Sequence, residues 1–153
     1  MGAPIISLQN VSLTLKGNAG NVNIIKNISL DINKGESIGL IGPSGSGKSS
    51  LLMLAGGLEK PSSGEIKILD QLITGLSEDR LSKLRQNNVG VVFQSFHLIP
   101  TLTALENVAT PLEISSSKKP AEYAMKALDR VGLLKRADHY PSQLSGGEQQ
   151  RVA

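Results

Sequence analysis

Eight consecutive residues in the first third of the chain combine glycines, serines and a lysine at a spacing that suits phosphate binding. Their pattern is Gly-x-x-x-x-Gly-Lys-Ser, which defines a P-loop where a strand precedes it and a helix follows it. A largely apolar run at residues 38–41 precedes the motif, and a second one at 51–55 follows it. The sequence therefore predicts a loop that holds the phosphates of a nucleotide, formed by Gly42, Pro43, Ser44, Gly45, Ser46, Gly47, Lys48 and Ser49.

The residue types of this loop supply three kinds of attraction for a phosphate chain. Glycines at 42, 45 and 47 permit tight turns with positive φ, so that consecutive N–H groups can point at one anion. The helix that follows adds its unpaired N-terminal amides and the positive end of its dipole. Lys48 supplies a point charge for the β- and γ-phosphates, and the Ser49 hydroxyl supplies a ligand for Mg²⁺.

An ordinary Gly-Ser turn is the alternative interpretation of this stretch. A chance match somewhere in the chain has odds of roughly one in two hundred when glycine makes up about 7% of residues. The strand and helix patterns on either side reduce those odds further. We therefore take the P-loop as the leading interpretation.

The composition argues against several classes of protein. With 153 residues, 3% aromatic residues and no Trp, the chain can form one domain with an aliphatic core. The net charge is +3 and is spread out, which does not favour nucleic-acid binding. The absence of Cys excludes disulfides and thiolate metal sites. No apolar run approaches 18 residues, so we expect no direct insertion into a membrane.

Apolar runs separated by turn residues predict the elements that must position the loop. Residues 5–15 and 22–32 alternate in part, and the turn cluster 16–21 between them predicts antiparallel pairing. A continuous apolar run at 89–93 is typical of a strand buried on both faces of a parallel sheet. Further predicted elements are strands at 38–41 and 65–69, and helices after the P-loop, at 77–86, 103–114 and 120–131, and beginning within 144–151.

Helical spacing of apolar residues predicts which helix faces are buried. The predicted inward residues are Leu51, Leu54, Ala55 and Leu58 in the helix after the P-loop, and Ala124, Ala127, Leu128 and Val131 in the helix at 120–131.

Gln94 directly follows the apolar run at 89–93. Ligands of parallel α/β sheets bind at the carboxyl ends of the strands, which makes Gln94 a candidate for the site. A polar strand end that faces solvent explains the same residue equally well, and the residues alone leave both interpretations open. His97 and His139 have no Cys, His or carboxylate at ligand spacing, so we predict no metal site there.

Three motifs stand in one order: the P-loop, Phe93-Gln94, and Leu-Ser-Gly-Gly-Glu-Gln-Gln at 144–150. Taken together they resemble the ATP-binding subunit of an ABC transporter. The P-loop is shared with many NTPases, whereas the Leu-Ser-Gly-Gly-x-Gln-Gln signature after a Gln loop is nearly unique to the ABC class. Residues 91–108 and the Glu in the signature are similar to the lipoprotein-release and macrolide-export subgroup. The resemblance covers the whole chain.

The resemblance implies an α/β fold, that of a P-loop NTPase of the ABC ATPase type. It implies one incomplete ATP-binding domain over 1–153, with an antiparallel β part at 1–36 and 65–70. The P-loop and Gln-loop core would occupy 37–60 and 77–95, and a helical subdomain ending in the signature helix would occupy 96–153. The C-terminal part of the core sheet would be missing.

The resemblance also implies roles for single residues, with ATP and Mg²⁺ as cofactors. Gly42 to Ser49 would hold the phosphates, with Ser50 on the α-phosphate side. Lys48 and Gln94 would serve catalysis, and Ser49 and Gln94 would bind Mg²⁺. In trans, the γ-phosphate of a second subunit would be contacted by Ser145, Gly146, Gly147 and Glu148. A Ser-Gly-Gly sequence before a helix fits this role, because it leaves free amides and little side-chain bulk.

The implied partners are a second ATP-binding subunit, arranged head to tail, and a membrane permease. The implied location is cytoplasmic and peripheral, on the inner face of the cell membrane. Neither nucleic-acid binding nor membrane insertion is expected. The transported substrate is not implied, because the membrane subunits choose it.

Two departures from the family pattern affect these expectations. ABC ATPases usually stack the adenine on an aromatic side chain, at a place that falls near Leu15, and no aromatic residue occurs before Phe93. We therefore predict weak base selectivity. Family members also continue into a Walker B Asp, a catalytic Glu and a switch His, none of which follows Ala153 in this sequence. We therefore predict that these 153 residues alone do not turn over ATP and are poorly stable.

Two alternatives remain. One is a soluble ABC-class protein acting on nucleic acid, although only 95 positions separate Ser49 from Leu144, too few for the long helical insertion of repair ATPases. The other is a non-catalytic fragment that binds a nucleotide or a partner.

Overall fold

The computed structural model describes residues 3–17 and 20–153, the side chain of Asn87 excepted. Two compact units make up the chain: the first ends at Gly90 and the second is Val91–Ala153. In the described residues, no helix has both the length and the apolar character that a membrane crossing requires.

The first unit contains a four-stranded antiparallel sheet with the order β2-β1-β3-β4. Its long central strand β1 pairs with β2 on one side and with β3 on the other. The strands predicted at 5–15, 22–32 and 65–69 are confirmed, and the short strand β4 was not predicted. Residues 18 and 19 of the predicted turn lie outside the described residues. The strands are β1 (Ile6–Gly17), β2 (Gly20–Ile32), β3 (Ser63–Ile68) and β4 (Gln71–Leu72).

Two helices pack on this sheet. Helix α1 (Lys48–Ala55) follows the P-loop, and helix α2 (Glu78–Asn88), predicted at 77–86, begins after its N-cap Ser77. Leu54 of α1 is fully buried, and Leu51 and Ala55 pack against the same core. The prediction for Leu58 was wrong, because α1 ends before it and 40% of Leu58 is exposed. The buried core consists of Leu8, Val11, Leu13, Ile25, Leu54, Ile66, Ile68, Ile73, Leu81 and Leu84.

Two predicted strands do not form. Residues 38–41 and 89–93 carry no β-ladder, although both are largely apolar. Ile41 is 97% exposed and Val92 is 71% exposed. A strand requires a neighbour for its N–H and C=O groups, and no described residue pairs with either segment. Apolar composition therefore identified segments suited to a sheet interior, but it could not supply their partners.

The second unit is helical. It contains α3 (Ala104–Ile114), α4 (Pro120–Arg130) and α5 (Gly146–Val152), with short 3₁₀ turns at Leu134–Arg136 and Pro141–Gln143. The three predicted helices are confirmed. Ala124 and Leu128 are buried as predicted, but Ala127 is exposed and Val131 is 39% exposed, because α4 ends at Arg130. The core of this unit consists of Ala104, Leu128, Leu133, Ala137, Leu144 and Val152.

Candidate functional site

The P-loop of the first unit turns at two glycines in the left-handed region. Gly45 has φ 77° and Gly47 has φ 86°, as predicted from the need for inward-pointing amides. Gly42 differs, because its φ is not in that region. A Cβ there would lie 3.0 Å from the Ser46 hydroxyl oxygen, a close contact that rotation of the Ser46 side chain can relieve.

Gly47 also fixes where the loop lies on the sheet. It is the N-cap of α1, and a Cβ at this position would lie 2.9 Å from the Ile24 carbonyl oxygen and 2.9 Å from Ile25 Cδ1. The loop therefore touches strand β2 at the position where α1 begins. Leu54, further along α1, is anchored in the core. The direction of the helix start is thus set by buried contacts on both sides.

The N-terminus of α1 is open to an anion. Among the residues that the structure describes, no side chain caps this helix. The first amide of the helix with a helical acceptor is that of Leu51, which donates to the Gly47 carbonyl at 2.9 Å. The amides of the first turn therefore keep their donors available, together with the positive end of the helix dipole. Residues 42–46 of the preceding loop are exposed.

Lys48 lies over the loop that precedes it. Its ammonium donates to the Gly42 carbonyl at 2.9 Å and to the Pro43 carbonyl at 2.7 Å. The Ser46 hydroxyl lies 3.4 Å from the same nitrogen. The positive charge is therefore held against the loop, close to its glycine amides and to the start of α1. Ser44 and Ser49 are exposed, and Ser50 is half-buried.

The residues present fit a magnesium ion that is shared with a phosphate. Among described residues, no group of three His, Cys, Asp or Glu side chains could hold a metal alone. Mg²⁺ usually keeps several waters and takes one or two protein ligands besides substrate phosphates. The exposed Ser49 hydroxyl at the start of α1 suits that kind of partial coordination.

Gln94 and the signature residues lie in the second unit. Gln94 is exposed and follows the unpaired segment 91–93. The carbonyl of its neighbour Phe93 accepts a hydrogen bond from Gln150 Nε2 at 3.4 Å, which connects this segment to α5. The structure thus brings the Gln94 segment and the signature helix together within one unit, and it groups the P-loop residues in the other.

The N-terminus of α5 is held by a reciprocal capping box. The Ser145 hydroxyl accepts from the Glu148 amide at 3.3 Å, and the Ser145 amide donates to Glu148 Oε2 at 2.8 Å. Because that amide and the Ser145 hydroxyl both donate to the carboxylate, they hold the pKa of Glu148 below its ordinary value, and the charge of Arg136 adds to the effect. Gly146 and Gly147 occupy the first turn without side chains. Their backbone is therefore presented on a well-fixed helix start.

Sequence reasoning missed Asn107, which fixes the loop after Gln94. Its Oδ1 accepts from the Ile99 amide at 2.7 Å, and its Nδ2 lies 3.1 Å from the Ile99 carbonyl, 3.0 Å from that of Leu102 and 2.9 Å from that of Thr103. Thr103 and Glu106 form a second capping box at the start of α3. The spacing Thr-x-x-Glu before an apolar run was a signal for that box. No sequence signal singled out Asn107.

Comparison with known proteins gives a consistent result. The ABC transporter family model matches residues 25–153. The lipoprotein-releasing system ATP-binding protein LolD 2 of Caulobacter vibrioides is 45% identical over 155 positions, which cover 100% of this chain and 68% of that protein. YbbA of Escherichia coli K12, named as an uncharacterized ABC transporter ATP-binding protein, is 45% identical, with 97% and 66% covered.

A solved structure agrees with these relatives. The dimeric ATP-binding cassette MJ0796, in a post-hydrolysis state bound to ADP and Pi, matches with a TM-score of 0.88 at 42% identity, covering 96% of this chain and 66% of that one. The chain therefore spans about two thirds of the length of the relatives it matches. These findings confirm the fold class and the resemblance inferred from three motifs, and they lead to one conclusion: the chain belongs to the ABC transporter family and corresponds to part of its ATP-binding subunit.

Proposed function

We propose that this chain binds Mg-ATP at residues 42–50 as the nucleotide-binding part of an ABC transporter. The observation that carries the proposal is the P-loop geometry. One ammonium, two glycines with positive φ and an uncapped helix start lie within eight residues. The ammonium and the free helix amides attract an anion, and the positive-φ glycines allow the loop amides to point at it, which together suits a phosphate chain.

Each loop residue has a place in this proposal. The amides of Gly42, Ser44, Gly45, Ser46 and Gly47 surround the phosphates, with Pro43 shaping the turn, and the Lys48 ammonium exchanges its carbonyl contacts for the β- and γ-phosphates. Ser50 contacts the α-phosphate side. Ser49 and Gln94 contribute oxygen ligands to Mg²⁺, which when bound neutralises phosphate charge. Lys48 and Gln94 are the residues of this chain that would serve hydrolysis.

The signature residues complete the site of a second copy. In this proposal Ser145, Gly146, Gly147 and Glu148 of one subunit approach the γ-phosphate held by the other, in a head-to-tail dimer. The dimeric form of the MJ0796 cassette supports the arrangement. Closing and opening of that dimer would act on a membrane permease from the cytoplasmic side. The name of LolD 2 supports a lipoprotein-releasing permease among the candidates.

The domain division implied by the family pattern assigns these roles to separate parts of the chain. The β part at 1–36 and 65–70 and the core at 37–60 and 77–95 would carry the nucleotide. The helical part at 96–153 would carry the contacts to the second subunit and the permease.

Binding is tested first, by calorimetric titration of Mg-ATP into the 153-residue chain. Lys48→Ala is expected to abolish saturable binding, because it removes the cation that faces the phosphates. Lys118→Ala is the matched control, since it removes one lysine of the link before α4 and should bind as the unaltered chain does. Equal affinity of both variants for Mg-ATP would refute the proposed site.

Hydrolysis is a separate question. Phosphoryl transfer needs a fixed metal and a positioned water, and Ser49 and Gln94 alone supply neither completely. We expect no ATP turnover by these 153 residues in a phosphate-release assay. A rate that disappears in Lys48→Ala would contradict this expectation. Saturable binding without turnover would favour a non-catalytic nucleotide-binding module as the function of the chain in isolation.

A further inference from the structure

Both oxygens of the Glu148 carboxylate are held by neighbouring donors. Ser145 donates to its Oε2 from both the amide and the hydroxyl, each at 2.8 Å. Arg136 Nε lies 3.2 Å from the other oxygen, Oε1. The side chain of Glu148 is only 21% exposed, whereas that of Arg136 is 49% exposed. Both oxygens therefore have donors, and the side chain is turned back over the N-cap.

Backbone and side-chain contacts hold Arg136 in place. Its amide donates to the Leu133 carbonyl at 2.8 Å, and Leu133 is buried in the core of the second unit. Its Nη1 lies 3.1 Å from His139 Nε2. The backbone of His139 is tied to α3, because its carbonyl accepts from the Ala104 amide at 2.8 Å. Arg136 thus transmits the position of the connector between α4 and α5 to the carboxylate of the signature helix.

The charge of Glu148 has two opposite consequences. At the third position of α5 a carboxylate is favourable, because it faces the positive helix end and completes the capping box. The same negative charge would oppose a second anion that approaches this end. The cleft beside it is lined by further charged residues besides Arg136, and His139 contacts Arg136 from the connector. These further charged residues are Asp129, Lys135 and Arg151.

We infer that Arg136 is a positioning residue of the signature helix, which fixes the Glu148 carboxylate on the N-cap and balances its charge. This inference rests on the proposed function, in which the start of α5 approaches a phosphate. The inference adds one condition to that function: Arg136 is needed at the signature helix because residue 148 carries a negative charge. A neutral glutamine in place of this acid can still complete a capping box, and it would remove the need for the counter-charge.

The condition is tested with six chains: unaltered, Arg136→Gln, Glu148→Gln, the double variant, Arg136→Lys as the conservative rescue, and Ser145→Ala. The first readout is the acid titration of the Gly146 and Gly147 amide resonances by NMR, in the 153-residue chain and in any longer chain that contains it. Arg136→Gln should move the titration midpoint upward, and Ser145→Ala should also move it upward, because it removes the hydroxyl that donates to the carboxylate while the residue 145 amide is kept. Arg136→Lys should restore most of the change, and both chains that carry Glu148→Gln should show no such titration.

The second readout is ATP hydrolysis at saturating and limiting Mg-ATP, measured in a longer chain that contains these residues and hydrolyses ATP. Arg136→Gln should lower kcat by about two- to five-fold, the range for an exposed ion pair, with little change in KM. In the Glu148→Gln background it should change kcat by less than about 1.5-fold.

Three outcomes would overturn the inference. One is a titration midpoint that does not respond to Arg136→Gln. Another is an equal decrease in kcat on Arg136→Gln with and without the Glu148→Gln substitution, which would show that Arg136 acts only through packing or through His139. The third is a change in KM alone. The first outcome is read without nucleotide, so failure of the proposed nucleotide site, seen in the Lys48 binding test, would be recognised separately.

Discussion

Replacing Gly47 by alanine tests how the P-loop lies on the sheet. The residue has φ 86°, and a Cβ there would lie 2.9 Å from the Ile24 carbonyl oxygen, closer than real Cβ contacts occur. The left-handed conformation costs an L-residue about 1–2 kcal/mol. Because the contact is with backbone, relief requires movement of the loop or of β2, which adds about 1–3 kcal/mol. We expect Gly47→Ala to destabilise the first unit by about 2–5 kcal/mol.

Two other glycines separate these terms. Gly45 has φ 77° but nothing within 4 Å of an added Cβ, so Gly45→Ala should cost only the conformational part, about 1–2 kcal/mol. Gly39 has neither a positive φ nor a near neighbour, and Gly39→Ala should stay within about 0.5 kcal/mol of the unaltered chain. The ranking therefore isolates the contact between the loop and β2.

The assay is urea unfolding followed by far-UV circular dichroism, with hydrogen exchange of the β1 and β2 amides to report on the first unit. Tyrosine fluorescence does not serve, because Tyr123 and Tyr140 both lie in the second unit. Equal destabilisation by Gly47→Ala and Gly45→Ala would refute the packing described for the P-loop. A neutral Gly47→Ala would refute the positive φ as well.

Three further predictions concern the rest of the chain. Asn107→Ala should destabilise the second unit by about 2–3 kcal/mol in urea unfolding, because it removes the side chain that bonds Ile99, Leu102 and Thr103. Asn88→Ala, which loses one bond to the Leu84 carbonyl, is the control and should cost less than half as much. Hydrogen bonds from Ser145 and Thr103 lower the pKa values of Glu148 and Glu106 below the ordinary glutamate value. Since the folded pKa values are the lower ones, the stabilisation is present above the ordinary value and is lost as the pH falls through the folded values. Tyrosine-monitored unfolding should therefore show lower stability at about pH 3 than at about pH 6, and unchanged stability over that range would contradict the prediction. Base selectivity should be weak, because Leu15 offers no ring for stacking, which contributes about 1–3 kcal/mol per base; strong preference for ATP in an ATP/GTP competition would show the prediction wrong.

The parts of the molecule that the sequence could predict are those set by local chemistry. The positive φ of Gly45 and Gly47, the helix that begins within 144–151 and the helix start at Pro120 depend on a few neighbouring residues, and each is found where it was expected. The strands at 38–41 and 89–93 were wrong because a ladder depends on partners far along the chain. Ala127 was assigned to the core by helical spacing alone, yet spacing cannot tell how wide the covered face of α4 is.

The same distinction separates binding from stability in the first unit. The hydrogen bonds that hold Lys48 over the phosphate loop join residues at most six positions apart, such as Lys48 to Gly42. The segment that leads into this site is held less firmly, since Ile41 is 97% exposed and residues 38–41 pair with no described strand. Because an exposed, unpaired side chain contributes little to stability, substitution of Ile41 should change the stability of the unit by less than about 0.5 kcal/mol, whereas substitution of Lys48 should weaken phosphate binding and leave the core unchanged. A nucleotide that binds across the loop would then stabilise the unit by favouring its folded form, to an extent that grows with its concentration above the dissociation constant.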